Sequence, residues 1–149
     1  MADFTLYCFA QSGNAYKAAL MLNLCGADWT PRFVDFFNGE TRTPAYRAIS
    51  VMGEVPVLEH DGRRLSQSGV ILDYLASRLG RFGWRDDDER REILRWILFD
   101  NHKLTSYVAT LRFMLQFART GETPVTDWLR GRAASALKVL DAHLSDRRF

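Results

Sequence analysis

The amino-acid sequence predicts a mixed α/β domain followed by an all-helical region. Short apolar runs alternate with helical segments over the first ~80 residues, in the order βαβα then ββα, which specifies a mixed sheet covered by helices. Proline and glycine punctuate that stretch and then disappear from Asp86 through Thr120. An apolar share of 47% and a charged share of 26% in 149 residues suit a globular chain with a core of its own.

Each element has a local reason. Thr5–Phe9 is an aromatic and apolar run with strand character, broken by Gln11-Ser12-Gly13-Asn14, which is turn and helix-capping chemistry. Ala15–Cys25 follows as a helix with Ala15, Ala18, Ala19 and Leu22 on one face, stopped by Gly26. Arg32–Phe37 reads as the second strand. Thr43-Pro44 places a cap and a first-turn proline before a short helix over Ala45–Ile49. Val55–Glu59 reads as the third strand, Asp61-Gly62 as a two-residue hairpin turn, and Arg63–Ser66 as the returning strand. Ser68 is placed to cap a helix over Gly69–Leu79, with Ile71, Leu72, Leu75 and Leu79 inward and Gly80 as its stop.

The domain boundaries expected from this are 1–80 for the α/β domain, 81–87 for a linker and 88–149 for the helical region. Asp86-Asp87-Asp88 puts acids where they complement a helix macrodipole, and the helix runs over Glu89–Ala118. After Gly121, Thr123-Pro124 opens a second long helix to about Leu144, with Leu129, Ala133, Leu137, Leu140 and Leu144 at helical spacing. The first of these helices is apolar on more than one side. It therefore needs cover beyond one partner helix, and a homodimer is expected; an exposed apolar patch is the alternative.

Composition narrows the function classes. A net charge of +2 with interspersed signs gives no sign of a nucleic-acid or membrane partner, and Arg130–Arg132 and Arg147–Arg148 read as solvated surface. Met1-Ala2-Asp3 lacks a basic start and apolar run, so a cytoplasmic location is expected. Cys8 and Cys25 sit in apolar segments without a C-x-x-C pair and read as reduced and buried. His60, His102 and His143 show no zinc-site spacing, so no metal is expected. Phosphate-binding glycine loops and the G-x-S-x-G elbow are absent from the sequence.

Three places invite chemistry. Ser12, in the turn between first strand and first helix, lies where helix N–H groups stabilise a nearby anion, although a plain cap explains it equally. Val55-Pro56 puts a proline at a strand start; an ordinary edge proline fits, as does a cis bond that turns the Val55 backbone outward toward an extended peptide. Gln67-Ser68 opens another helix, either as a simple cap or as a carboxylate cradle.

Phe9-Ala10-Gln11-Ser12-Gly13-Asn14, Gly53-Glu54-Val55-Pro56-Val57-Leu58 and Leu65 through Leu75, in that order and followed by long helices, resemble a cytosolic glutathione S-transferase of bacterial, nu- or theta-like type. The resemblance implies a thioredoxin-like first domain with a cis Pro56 and glutathione as co-substrate. It also implies that the Val55 backbone pairs with the cysteinyl part of glutathione, and that Gln67 and Ser68 hold the γ-glutamyl end. In the same reading Ser12 and Asn14 stabilise the thiolate, and Glu54 and Arg42 serve the glycyl end. Apart from the resemblance, Tyr107 and Arg112 on the first long helix are expected to border an electrophile pocket. Family members usually continue with several more helices, so a shortened second domain is expected. The activity implied is conjugation of glutathione to small electrophiles. Glutathione-dependent disulfide reduction without a protein cysteine, and non-catalytic glutathione binding, are the alternatives.

Overall fold

The computed structural model describes residues 3–147, so Met1, Ala2, Arg148 and Phe149, which entered the reading of the termini, lie outside it. The chain divides into two compact units between Arg85 and Asp86.

The first unit is a four-stranded sheet in the order β2-β1-β3-β4, formed by β1 (Phe4–Cys8), β2 (Trp29–Phe33), β3 (Val57–His60) and β4 (Arg63–Ser66). β1 runs parallel to β2 and antiparallel to β3, and β3 pairs antiparallel with β4. Helices α1 (Gly13–Cys25), α2 (Pro44–Arg47) and α3 (Ser68–Leu79) cover it. Neighbouring residues of β1 point to opposite faces. Leu6 joins Ala18, Leu22, Leu58, Ile71 and Leu75 under α1 and α3, while Tyr7 joins Val34, Tyr46 and Val57 on the α2 side. This is the thioredoxin-like arrangement that the resemblance implied.

The second strand begins three residues and ends four residues earlier than the sequence pattern suggested, over Trp29–Phe33 instead of Arg32–Phe37. Its register against β1 runs from Phe4↔Trp29 to Cys8↔Phe33. Pro31 lies inside it, and β2 is a sheet edge, where a missing N–H is tolerated. Asp35 ends the segment by accepting from the backbone and side-chain amides of Asn38. The third strand likewise begins at Val57, beyond Pro56. Asp61 and Gly62 both have positive φ, at 49° and 73°, as the hairpin turn requires. Ser68 is the first helical residue of α3 and not its cap; Gln67 occupies the cap position and makes no capping side-chain bond.

The second unit consists of five consecutive helical segments. After α4 (Asp87–Phe99), capped by Asp86, the chain continues as a π-helical segment over Asp100–Ala109, a turn α5 (Thr110–Arg112) and a second π-helical segment over Phe113–Phe117. Half of the single long helix expected is therefore wound with the wider turn. Thr105 and Ser106 hydroxyls reach back five residues to Asp100 and Asn101, which suits that winding. Helix α6 (Pro124–Leu144) opens with reciprocal bonds between Thr123 and Thr126. Its buried stripe is Thr126, Leu129, Ala133 and Ala136. Leu137 and Leu144, expected inward, are exposed. Nothing in α4, α5 or the two π-helical segments is fully buried, and Leu94, Leu98, Val108 and Phe113 are exposed. No helix among the described residues is long and apolar enough to cross a membrane.

Candidate glutathione site

The site is built where two helices of the first unit begin. Ser12 caps α1: its Oγ accepts the Ala15 N–H at 3.2 Å, and its own backbone N–H is held by the Phe9 carbonyl at 3.0 Å. The hydroxyl hydrogen has no acceptor among the described residues. Asn14 lies in the first turn of α1. Its Oδ1 accepts from Lys17 Nζ at 3.1 Å and from the Ser68 hydroxyl at 3.4 Å. That second bond joins the starts of α1 and α3, which lie 54 residues apart in sequence. With its hydrogen directed to Asn14, the Ser68 oxygen is left as an acceptor.

The peptide edge lies beside this junction. The Val55–Pro56 bond is cis. Among the described residues, the Val55 N–H and C=O make no backbone hydrogen bond, and the β3 ladder starts two residues later. Gly53, at φ 63°, makes the approach to this edge; a Cβ there would lie 2.7 Å from the Arg47 guanidine and 2.8 Å from the Thr41 carbonyl oxygen. Tyr46, fully buried, donates its phenol hydrogen to the Glu54 carbonyl at 3.0 Å. Burial first, and then the Glu40 carboxylate, push the Tyr46 phenol up to about 12, so it remains a donor at any physiological pH.

Gln67 has φ 70°, unusual for a residue with a side chain. Its Nε2 donates to Glu54 Oε2 and to Met52 Sδ, each at 2.9 Å. Gln67 and Glu54 are thus brought together as a polar pair flanking Val55. Arg42 ends the 3-10 turn Glu40–Arg42 and is exposed; no side-chain bond joins it to Glu54, Val55 or Gln67 among the described residues. Tyr107 and Arg112 belong to the second unit. The Tyr107 hydroxyl accepts from Arg132 at 3.1 Å, which lowers its pKa, and Arg112 donates to Gln116 at 3.1 Å and lies over the Phe117 ring. Sequence reasoning missed Lys17, Tyr46 and Met52. Lys17 alone carried a readable signal, its three-residue spacing from Asn14 on one helix face.

Other chemistry has little footing. The Cys8 thiol is pushed up by burial, away from nucleophilic use, and packs with Cys25 against the core. No group of three His, Cys, Asp or Glu residues among those described is placed to hold a metal ion.

A family model described as glutathione S-transferase, N-terminal domain, matches residues 11–78. The crystal structure of a possible glutathione S-transferase from Rhodopseudomonas palustris superposes with a TM-score of 0.91 at 33% identity, covering 98% of this chain and 67% of that one. The maleylacetoacetate isomerase of Rhizobium meliloti (strain 1021) is 32% identical over 150 residues, covering 97% of this chain and 70% of that protein. The chain belongs to the glutathione S-transferase family. A glutathione transferase from Pseudomonas putida, solved with one glutathione disulfide bound per subunit, matches with a TM-score of 0.88 at 25% identity, covering 99% of this chain and 67% of that one. The chain thus spans about two thirds of the length of these transferase structures.

Proposed function

We propose that the protein is a glutathione S-transferase that conjugates the glutathione thiolate to small electrophiles. The observation that carries the reading is the convergence of the Ser12 hydroxyl, the Asn14 amide and Ser68 beside a Val55 edge with unpaired backbone groups.

Glutathione lies along that edge, its cysteinyl amide exchanging hydrogen bonds with Val55 across the turn at Pro56. The γ-glutamyl carboxylate sits at the N-terminal N–H groups of α3, and the α-ammonium donates to the Ser68 oxygen and to the Glu54 carboxylate that Gln67 holds in place. Arg42 is assigned to the glycyl carboxylate. The sulfur rests at the start of α1, where the Ser12 hydroxyl and the Asn14 amide donate to it. Such donors favour the thiolate over the thiol, so the proton leaves to solvent near neutral pH. The thiolate attacks the electrophilic carbon, a carbon–sulfur bond forms, and the leaving group departs with its bonding electrons. Because glutathione is held in place, the gain comes from orientation as well as from the lowered thiol pKa. Tyr107 and Arg112 are assigned to the electrophile side, and a homodimer covers the open apolar faces of the second unit. The location assigned is cytoplasmic.

Glutathione-dependent disulfide reduction is a second reading. The glutathione disulfide bound in the Pseudomonas putida structure and the donor pair Ser12 and Asn14 favour it.

The test is Ser12→Ala, assayed with glutathione and 1-chloro-2,4-dinitrobenzene. Loss of one donor to the anion is expected to lower kcat/KM for the electrophile about 10- to 100-fold, with glutathione affinity changed less than about threefold. Equal loss of binding and turnover would contradict the assignment of Ser12.

A further inference from the structure

We propose that Lys17 is a positioning residue for thiol activation: its ammonium holds the Asn14 amide in the one orientation that points N–H groups, and not the carbonyl oxygen, at the sulfur. The inference rests on the glutathione reading above and extends it to a residue outside the ligand's contact set.

The two faces of an asparagine amide differ only in which atom is the donor, and a half-turn exchanges them. Here the neighbours decide. Lys17 Nζ lies 3.1 Å from the Asn14 side chain, and an ammonium has donors only, so the atom it meets must be the carbonyl oxygen. The Ser68 hydroxyl donates to the same oxygen at 3.4 Å. Both lone pairs of Oδ1 are thereby used. The Nδ2 amide has no partner among the described residues, and it lies in the turn that Ser12 caps. An anion at the start of α1 meets that amide and the Ser12 hydroxyl. With the amide reversed, the same anion would face a carbonyl dipole of the wrong sign.

Lys17 stands one turn along α1 from Asn14, and the charge-assisted bond is the stronger of the two that fix the amide. Removing it leaves one long hydroxyl bond to resist reversal. Lys17 also brings positive charge toward the sulfur. A direct charge effect, however, would persist without Asn14, whereas a positioning effect would vanish with it.

The experiment titrates the thiol of bound glutathione by its thiolate absorbance near 240 nm, at saturating glutathione, in wild type, Lys17→Met, Lys17→Arg, Asn14→Ala and the Asn14→Ala/Lys17→Met double variant. Lys17→Met is expected to raise the bound thiol pKa by about one unit, with glutathione affinity nearly unchanged, and Lys17→Arg to retain most of the wild-type value. In the Asn14→Ala background, Lys17→Met should add less than about 0.3 unit. An unchanged thiol pKa in Lys17→Met overturns the inference. So does a shift that survives undiminished in the double variant, since Lys17 would then act by charge alone. If wild type binds no glutathione, the functional reading itself falls, a result that Lys17→Met alone could not produce.

Discussion

Substituting Gly53 by alanine tests how the Val55 edge is held. At φ 63° an alanine adopts left-handed backbone, which costs about 1–2 kcal/mol. The added methyl would also lie 2.7 Å from the Arg47 guanidine and 2.8 Å from the Thr41 carbonyl. Arg47 is exposed and can swing away, giving up its 2.9 Å bond to the Val51 carbonyl. Thr41 cannot move so easily, because it is buried and its carbonyl is backbone. Overpacking of that kind adds about 1–3 kcal/mol. The loss expected is about 3 kcal/mol in all, or a Tm fall of roughly 10–20 °C for a unit of this size. Gly26 supplies the control: its φ is 68°, yet an added Cβ meets nothing within 4 Å. Gly26→Ala should therefore lose only the left-handed cost, about 1–2 kcal/mol. Urea unfolding followed by far-UV circular dichroism measures both. If Gly53→Ala is no worse than Gly26→Ala, the packing described around Gly53 is wrong.

Two further predictions concern stability and assembly. Tyr46 has its folded pKa raised to about 12 against an ordinary 10, so its contribution is complete below pH 10 and is lost as pH rises toward 12. That alkaline loss, on the order of 2–3 kcal/mol in urea melts across this range, should disappear in Tyr46→Phe, which should also lose about 1 kcal/mol at neutral pH with the bond to Glu54. Light scattering at micromolar concentration should give twice the 17.1 kDa chain mass, shifting toward one chain in Leu98→Lys, since Leu98 is 58% exposed on an open apolar face. A monodisperse monomer would remove the dimer from the account.

Much of the first unit was legible because its signals are local. Ser12 and Thr43 act as caps, Asp61-Gly62 turns, and Gly26 and Gly80 end helices, each within a few residues of its effect. Where partners are distant, the pattern failed. The position of β2 depends on its register with β1, and its proline on the edge position, and neither is carried by local spacing. The cap position of α3 falls on Gln67 and not on Ser68, because Gln67 holds a positive φ alongside bonds to Glu54 and Met52, and that leaves no trace in spacing. In α6, Leu129 and Ala133 of the expected stripe are buried, but Leu137 and Leu144 are exposed and Thr126 and Ala136 are buried in their place. The π-helical winding after Phe99 spans only ten residues, about two of its wider turns, too few for its period to be told from that of an α-helix. In the site, residue types suggested Ser12, Val55 and Ser68. The bond from Ser68 to Asn14 is what makes neighbours of the first and last of these, and only folding supplies it.

The most direct measurement is a glutathione titration of ¹⁵N-labelled protein followed by amide and side-chain resonances. Saturable binding of one glutathione per chain should move the Val55, Ser68 and Gly69 backbone signals and the Asn14 side-chain amide together, with a single affinity. Absence of binding, or movement confined to signals elsewhere in the chain, would contradict the claim that these groups form one tripeptide site.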